Sequence, residues 1–111
     1  MTNRKSIDAF VERASLLLRI DRLLENAGLA TINFTTVNGI EQTVATSVHG
    51  TFLLLTLLMP VLRKSRQVTG KAATVTIVAS DLHRNTKFPE RKQQDILASL
   101  NVKEKARMLD R

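Results

Sequence analysis

Three polar groupings in this 111-residue chain are placed where they could do chemistry, and each adjoins an apolar run. Ser80 closes the run Thr74-Val75-Thr76-Ile77-Val78-Ala79, Asn26-Ala27-Gly28 follows the stretch Ile20 to Glu25, and Ser47 and His49 interrupt a long apolar segment. A hydroxyl at the carboxyl end of a parallel strand sits where open α/β sheets bind ligands. The competing role for Ser80 is to cap the next turn, the commoner use of serine. Asn-Ala-Gly, taken alone, is a loop-forming triplet that can follow any buried strand. His49 is a single histidine among apolar neighbours and reads as a packed or half-exposed residue. His83 is a loop residue with no carboxylate or second histidine at ligand spacing. Neither is assigned to a metal, and no metal site is expected.

What the sequence lacks narrows the chemistry further. It has no Cys, which excludes disulfides, thiolate nucleophiles and Cys-based zinc sites within these residues and makes a cytoplasmic location the expectation. Tyr and Trp are absent as well. The four glycines, Gly28, Gly39, Gly50 and Gly70, do not cluster into a loop that could wrap a pyrophosphate.

The elements that must position these residues follow from hydropathy. With 43% hydrophobic and 24% charged residues the composition is that of one small globular domain. The net charge of +7 is unevenly spread: between Leu23 and Leu62 the only charges are Glu25 and Glu41, so the middle of the chain is core and the ends are surface. Basic runs such as Arg63-Lys64-Ser65-Arg66 could face phosphates. With aromatics at 4% and all of them Phe, there are no stacking platforms, and nucleic-acid binding is not expected. The N-terminus is polar, unlike a secretory signal. The most apolar stretch, Phe52 to Leu62, falls short of the roughly 20 residues a spanning helix needs, so no membrane segment is expected.

Ile7, Phe10, Val11, Ala14, Leu17 and Leu18 fall at helical spacing, with Ser6 as N-cap and Asp8 in the first turn. Ile20 to Glu25 reads as a strand with its exit turn at Asn26–Gly28. A helix follows from about Ile40 to Lys64, announced by Thr36, Asn38 and Gly39, kinked near its end by Pro60, and apolar enough all round to be buried on more than one side. The β-branched run from Ala72 to Ala79 lacks alternation, which predicts a parallel strand covered on both faces. Pro89 opens a helix holding Ile96, Leu97 and Leu100, and Asn101 with Glu104 caps a last short helix. The order helix, strand, helix, strand, helix predicts an α/β fold, one parallel strand-helix-strand crossover flanked by helices.

In register, these blocks resemble a known family. Asp21-Arg22-Leu23-Leu24-Glu25-Asn26-Ala27-Gly28, Ser47-Val48-His49-Gly50-Thr51-Phe52-Leu53-Leu54, Leu58-Met59-Pro60-Val61-Leu62-Arg63 and Val75-Thr76-Ile77-Val78-Ala79-Ser80 occur in the order of the middle of a short-chain dehydrogenase/reductase. Phe88-Pro89-Glu90-Arg91 is similar to an insert of fungal members. The resemblance runs from Ser6 onward. It implies a partial Rossmann-type, doubly wound domain over residues 1–111, with residues 84–111 as a helical insert before the family's active-site helix.

By that resemblance the chain is expected to derive from an NAD(P)-dependent oxidoreductase that transfers hydride to or from a carbonyl or alcohol. Ser80 falls on the active-site serine that hydrogen-bonds the substrate oxygen. Asn26, Ala27 and Gly28 fall on the turn beside the adenosine end of NAD or NADP. Ser47 takes the proton-relay position, where the family usually has Asn; a hydroxyl lacks the two donors and the carbonyl of that side chain. The family's Gly-rich turn and its Tyr-x-x-x-Lys pair are not in this sequence, and Met108-Leu109-Asp110-Arg111 resembles the approach to that Tyr. The expectation is a chain truncated to the central part of the domain and inactive by itself, its partners a carbonyl or alcohol substrate in intact relatives and a second copy through the 40–64 helix. The alternative is a non-catalytic module for interaction or oligomerisation.

Overall fold

The structure, a computed structural model, describes residues 2–108. Helix α1 spans Arg4–Ser15, and its start is set by Asn3, whose Oδ1 accepts from the amides of Lys5 (3.0 Å) and Ser6 (3.4 Å). Ser6, expected as the cap, therefore lies in the first turn, because Asn3 already satisfies the orphan amides. Asp8 is engaged one turn back, by Arg4 Nε at 2.8 and 2.9 Å. Ile7 and Ala14 are buried and Val11 is half-buried. Phe10, Leu17 and Leu18, expected on that face, are exposed. The helix ends at Ser15, which takes both leucines off its axis, and Phe10 lies beneath the Arg13 guanidinium, 6.0 Å from the ring centre.

Strand β1, Arg22–Glu25, is followed by an antiparallel pair, β2 (Thr36–Val37) and β3 (Ile40–Glu41). Asn38 (φ 53°) and Gly39 (φ 78°) join them with positive φ at both central positions, the Asn-Gly hairpin turn that matches strand twist. Thr36, Asn38 and Gly39 thus build a hairpin rather than the expected helix start. The helix begins after it: Glu41 is the N-cap, its carboxylate accepting from the amides of Thr43 (2.8 Å) and Val44 (3.1 Å).

Helix α2 runs from Gln42–Thr69, passes through Pro60 and ends later than expected, where Gly70 at φ 72° donates to the Arg66 carbonyl at 2.8 Å. At 28 residues it is long and apolar enough, by length and composition, to cross a membrane, contrary to the estimate made from Phe52 to Leu62. Its connections argue otherwise. It joins β1 to strand β4 (Thr74–Ile77), and the two strands pair in parallel, Leu23 opposite Val75 and Glu25 opposite Ile77. The helix also packs Leu54, Leu58 and Val61 on α1, within the same layer that its return to β4 closes. It is a crossover helix, and the molecule is mixed α/β, as its alternation predicted.

The core lies between the two long helices, where Leu54, Leu58 and Val61 of α2 meet Ile7 and Ala14. Leu58 is 1% exposed. The rest of α2 is less covered than expected: Phe52 and Met59 are exposed. All four residues of β4 are exposed too, not covered on both faces. A β-branched run records fitness for a strand, and coverage depends on which other elements are at hand.

The tail is less helical than expected. Pro89 opens a single 3-10 turn, Pro89–Lys92, and Ile96, Leu97 and Leu100 sit in a separate short helix, α3 (Ile96–Leu100), whose N-cap Asp95 accepts from the Ala98 amide at 2.8 Å. Asn101 is the C-cap of α3 rather than the N-cap of a following helix: its amide donates to the Ala98 carbonyl at 3.1 Å, and its Oδ1 accepts from the Glu41 amide at 2.7 Å and ties the tail to the start of α2. Among the described residues of the expected 84–111 insert, helical structure is confined to such short pieces; Leu109, Asp110 and Arg111 lie outside the described residues.

Candidate functional site

Where β1 and β4 end, the chain turns away on both sides and leaves a cleft of about 780 Å³. Its walls are the turn 26–30, the start of α2 from Thr43 to Thr51, the exit of β4 from Val78 to Leu82, and the tail at Phe88, Pro89 and α3. Asn26, Ala27, Gly28, Ser47 and Ser80 all border it. Their sequence positions span 26 to 80, and the parallel pairing of β1 and β4 brings them together.

Ser80 borders the cleft and also caps the turn that follows it. Its Oγ accepts from the Leu82 amide at 3.2 Å, capping the 3-10 turn Asp81–Arg84. That bond uses an acceptor lone pair and leaves the O–H proton to be donated, with its dipole reinforced by the bond it receives. The Ser80 carbonyl lies 2.7 Å from Nδ1 of His83. A carbonyl only accepts, so Nδ1 carries the proton, and the imidazole braces the strand exit.

Ser47 sits inside a π-helical stretch, Ala45–Gly50, at the cleft. Such wide turns are uncommon and often mark functional sites. Its Oγ accepts from the Leu29 amide at 3.4 Å, a long bond that steadies the 26–30 turn. A Cβ added at Gly28 would lie 3.8 Å from that same oxygen, an ordinary contact, so the turn and the helix are close without being jammed. His49, expected to be packed or half-exposed, is exposed on the outer side. Among the described residues no group of His, Cys, Asp or Glu could hold a metal ion.

Two cleft residues escaped the sequence reading. Glu25, the last residue of β1, is 5% exposed, and neither carboxylate oxygen has a hydrogen-bond partner. Desolvation raises its pKa above the usual carboxylate range. Thr43, in the first turn of α2, is 6% exposed with an unpartnered hydroxyl. The signal for Glu25 was present: along β1 every second residue faces inward, which puts Glu25 on the same side as half-buried Leu23. Phe88 is the third surprise, a cleft residue at φ 40°, a backbone strain seldom found outside glycine.

No family model matches the chain and no solved structure matches it. Curated proteins do. It is 41% identical over all 111 residues to the short chain dehydrogenase FGM9 of Gibberella zeae, covering 33% of that protein. It is 38% identical over its whole length to the short-chain dehydrogenase anuD of Penicillium roqueforti, 29% of whose length it covers. To the short chain dehydrogenase sol3 of Alternaria solani it is 40% identical over 108 residues, which are 96% of this chain and 38% of that one. The chain spans about a third of the length of the curated relatives it matches.

Proposed function

The chain belongs to the short-chain dehydrogenase/reductase family, and on that premise we propose that it provides the central strands and one wall of the active cleft of an NAD(P)-dependent oxidoreductase, which moves hydride between a nicotinamide and a carbonyl compound or its alcohol. One observation carries the reading: Asn26–Gly28, Ser47 and Ser80 converge on a single cleft at the carboxyl ends of a parallel strand pair. In it the Ser80 hydroxyl donates to the substrate oxygen and stabilises the negative charge that grows there as the carbonyl is reduced. The Leu82 amide and the His83 ring hold Ser80 in place, so that little motion is needed on binding.

NAD or NADP, when bound, supplies or accepts the hydride. The residues present fit part of such a site. The 26–28 turn offers backbone groups to a nucleotide, and the unpartnered polar atoms of Glu25 and Thr43 leave the wall with hydrogen-bonding capacity unused. A Gly-rich phosphate cradle is not among these residues, and neither is a tyrosine to exchange the substrate proton. Ser47 supports the turn by accepting from the Leu29 amide, and, as at Ser80, that bond leaves its hydroxyl proton to be donated at the relay position.

A second reading, an interaction module acting through α2, is favoured by one feature, the exposure of Phe52 and Met59 on that helix. Two preparations separate the readings. The 111 residues alone should oxidise neither NADH nor NADPH with any carbonyl compound above a heat-killed control. Exchanged for the corresponding third of an active fungal relative, they should support turnover. Turnover by the isolated chain, or a folded but inactive exchange protein beside its active parent, would count against the proposal.

A further inference from the structure

We propose that the end of the molecule opposite the cleft docks on an anionic lipid surface. The parallel pairing fixes the polarity of the fold: β1 and β4 both begin at this end, and α1 and α2 both finish there. The link from α1 to β1 is clamped against the last turns of α2, the Ile20 amide donating to Ser65 Oγ at 2.8 Å. That link carries Leu16, Leu17 and Leu18 in succession, exposed at 83, 52 and 73%. No packing in the α1–α2 core uses them.

Cations surround the three leucines. Arg13, Arg19 and Arg22 flank them along the chain, and Arg63, Lys64 and Arg66 lie on the α2 turns to which the link is bound, all of them exposed. The acids nearby are Glu12 on α1 and Asp21, the latter paired with Arg19 at 3.1 Å. The pole is therefore basic and apolar at once.

That combination decides between partners. A nucleic acid would reward the cations and gain nothing from three adjacent leucines, and the nearby Phe10 ring already lies beneath the Arg13 guanidinium. A bilayer boundary takes both, with leucines entering the acyl margin while arginines and lysines meet headgroup phosphates. From Ser47 at the cleft to Arg66 is 19 residues of α2, about 28 Å at 1.5 Å per residue, so a docked molecule keeps its cleft open to water. The sequence led to the expectation of no membrane partner at all, on the ground that no segment was long enough to span; docking at a surface needs no such segment, and the proposal departs from that expectation.

The test is flotation of the 111-residue chain with vesicles, which separates lipid-bound protein from aggregate. The chain should float with phosphatidylcholine vesicles containing phosphatidylserine, stay behind with pure phosphatidylcholine, and be released by salt. Leu17→Ser/Leu18→Ser should weaken flotation about tenfold or more, and Arg63→Gln/Lys64→Gln should weaken it in a salt-dependent way. All four positions are exposed, so helix content by circular dichroism should not change. No flotation with anionic vesicles overturns the proposal. So does flotation indifferent to the leucine pair, or retention of polynucleotide that competes fully with vesicles in that variant, because either outcome would make the pole a general polyanion site.

Discussion

Glu25 carries the sharpest single-residue consequence. An acid whose pKa is raised by burial binds its proton more tightly in the folded than in the unfolded chain. Its contribution is therefore intact below the unfolded value and is lost as pH rises through the folded one. Stability should fall as pH climbs from the ordinary glutamate range toward neutrality. Glu25→Gln should remove that slope and raise stability at neutral pH by about 1 kcal/mol, read as urea midpoints at several pH values. A variant with the parent's slope would show that Glu25 is not the group responsible. Ser80 illustrates how much of the site the sequence disclosed. Its place at a strand's carboxyl end was legible because a β-branched run followed by a polar residue is a local pattern. Its bonds to Leu82 and His83 depend on a turn whose geometry no residue type fixes. Thr43 could not be read at all, because an unpartnered hydroxyl is a property of what surrounds it.

Among the elements, α1, β1, α2 and β4 were legible from period and β-branching, and their boundaries were less so. The start of α2 shows why: Asn38-Gly39 is a stop signal for helix as much as a start, and only the pairing of Thr36 with Glu41 reveals the hairpin. Glu41, fully buried, then acts as the cap through two amides. Glu41→Ala should cost about 1–2 kcal/mol, measured by thermal melting, and Gly39→Ala a smaller amount because φ of 78° strains any Cβ. A Glu41→Ala protein as stable as its parent would mean that α2 starts without this cap. The tail was misread for a different reason: Asn101 reaches the Glu41 amide across 60 positions of sequence, and a capping pattern read locally cannot anticipate such a bond.

For the molecule as a whole, β1 and β4 form a two-stranded parallel sheet, and Leu24, Val75 and Ile77 are exposed on it. Exposed apolar strands invite association. The 111 residues should associate in solution, and Phe52→Lys should reduce light scattering if α2 contributes, since Phe52 is exposed whereas Leu57 packs on the core. Scattering unchanged by Phe52→Lys would assign association to the strands instead. The larger claim, that one cleft gathers groups from residues 26, 47 and 80 to serve hydride transfer, is tested most directly in the exchange protein built on a fungal relative. Its steady-state rate with a carbonyl substrate and NADPH or NADH should fall by about one to three powers of ten on Ser80→Ala, the scale of losing one donor to a developing oxyanion. Full activity in the Ser80→Ala exchange protein would contradict it.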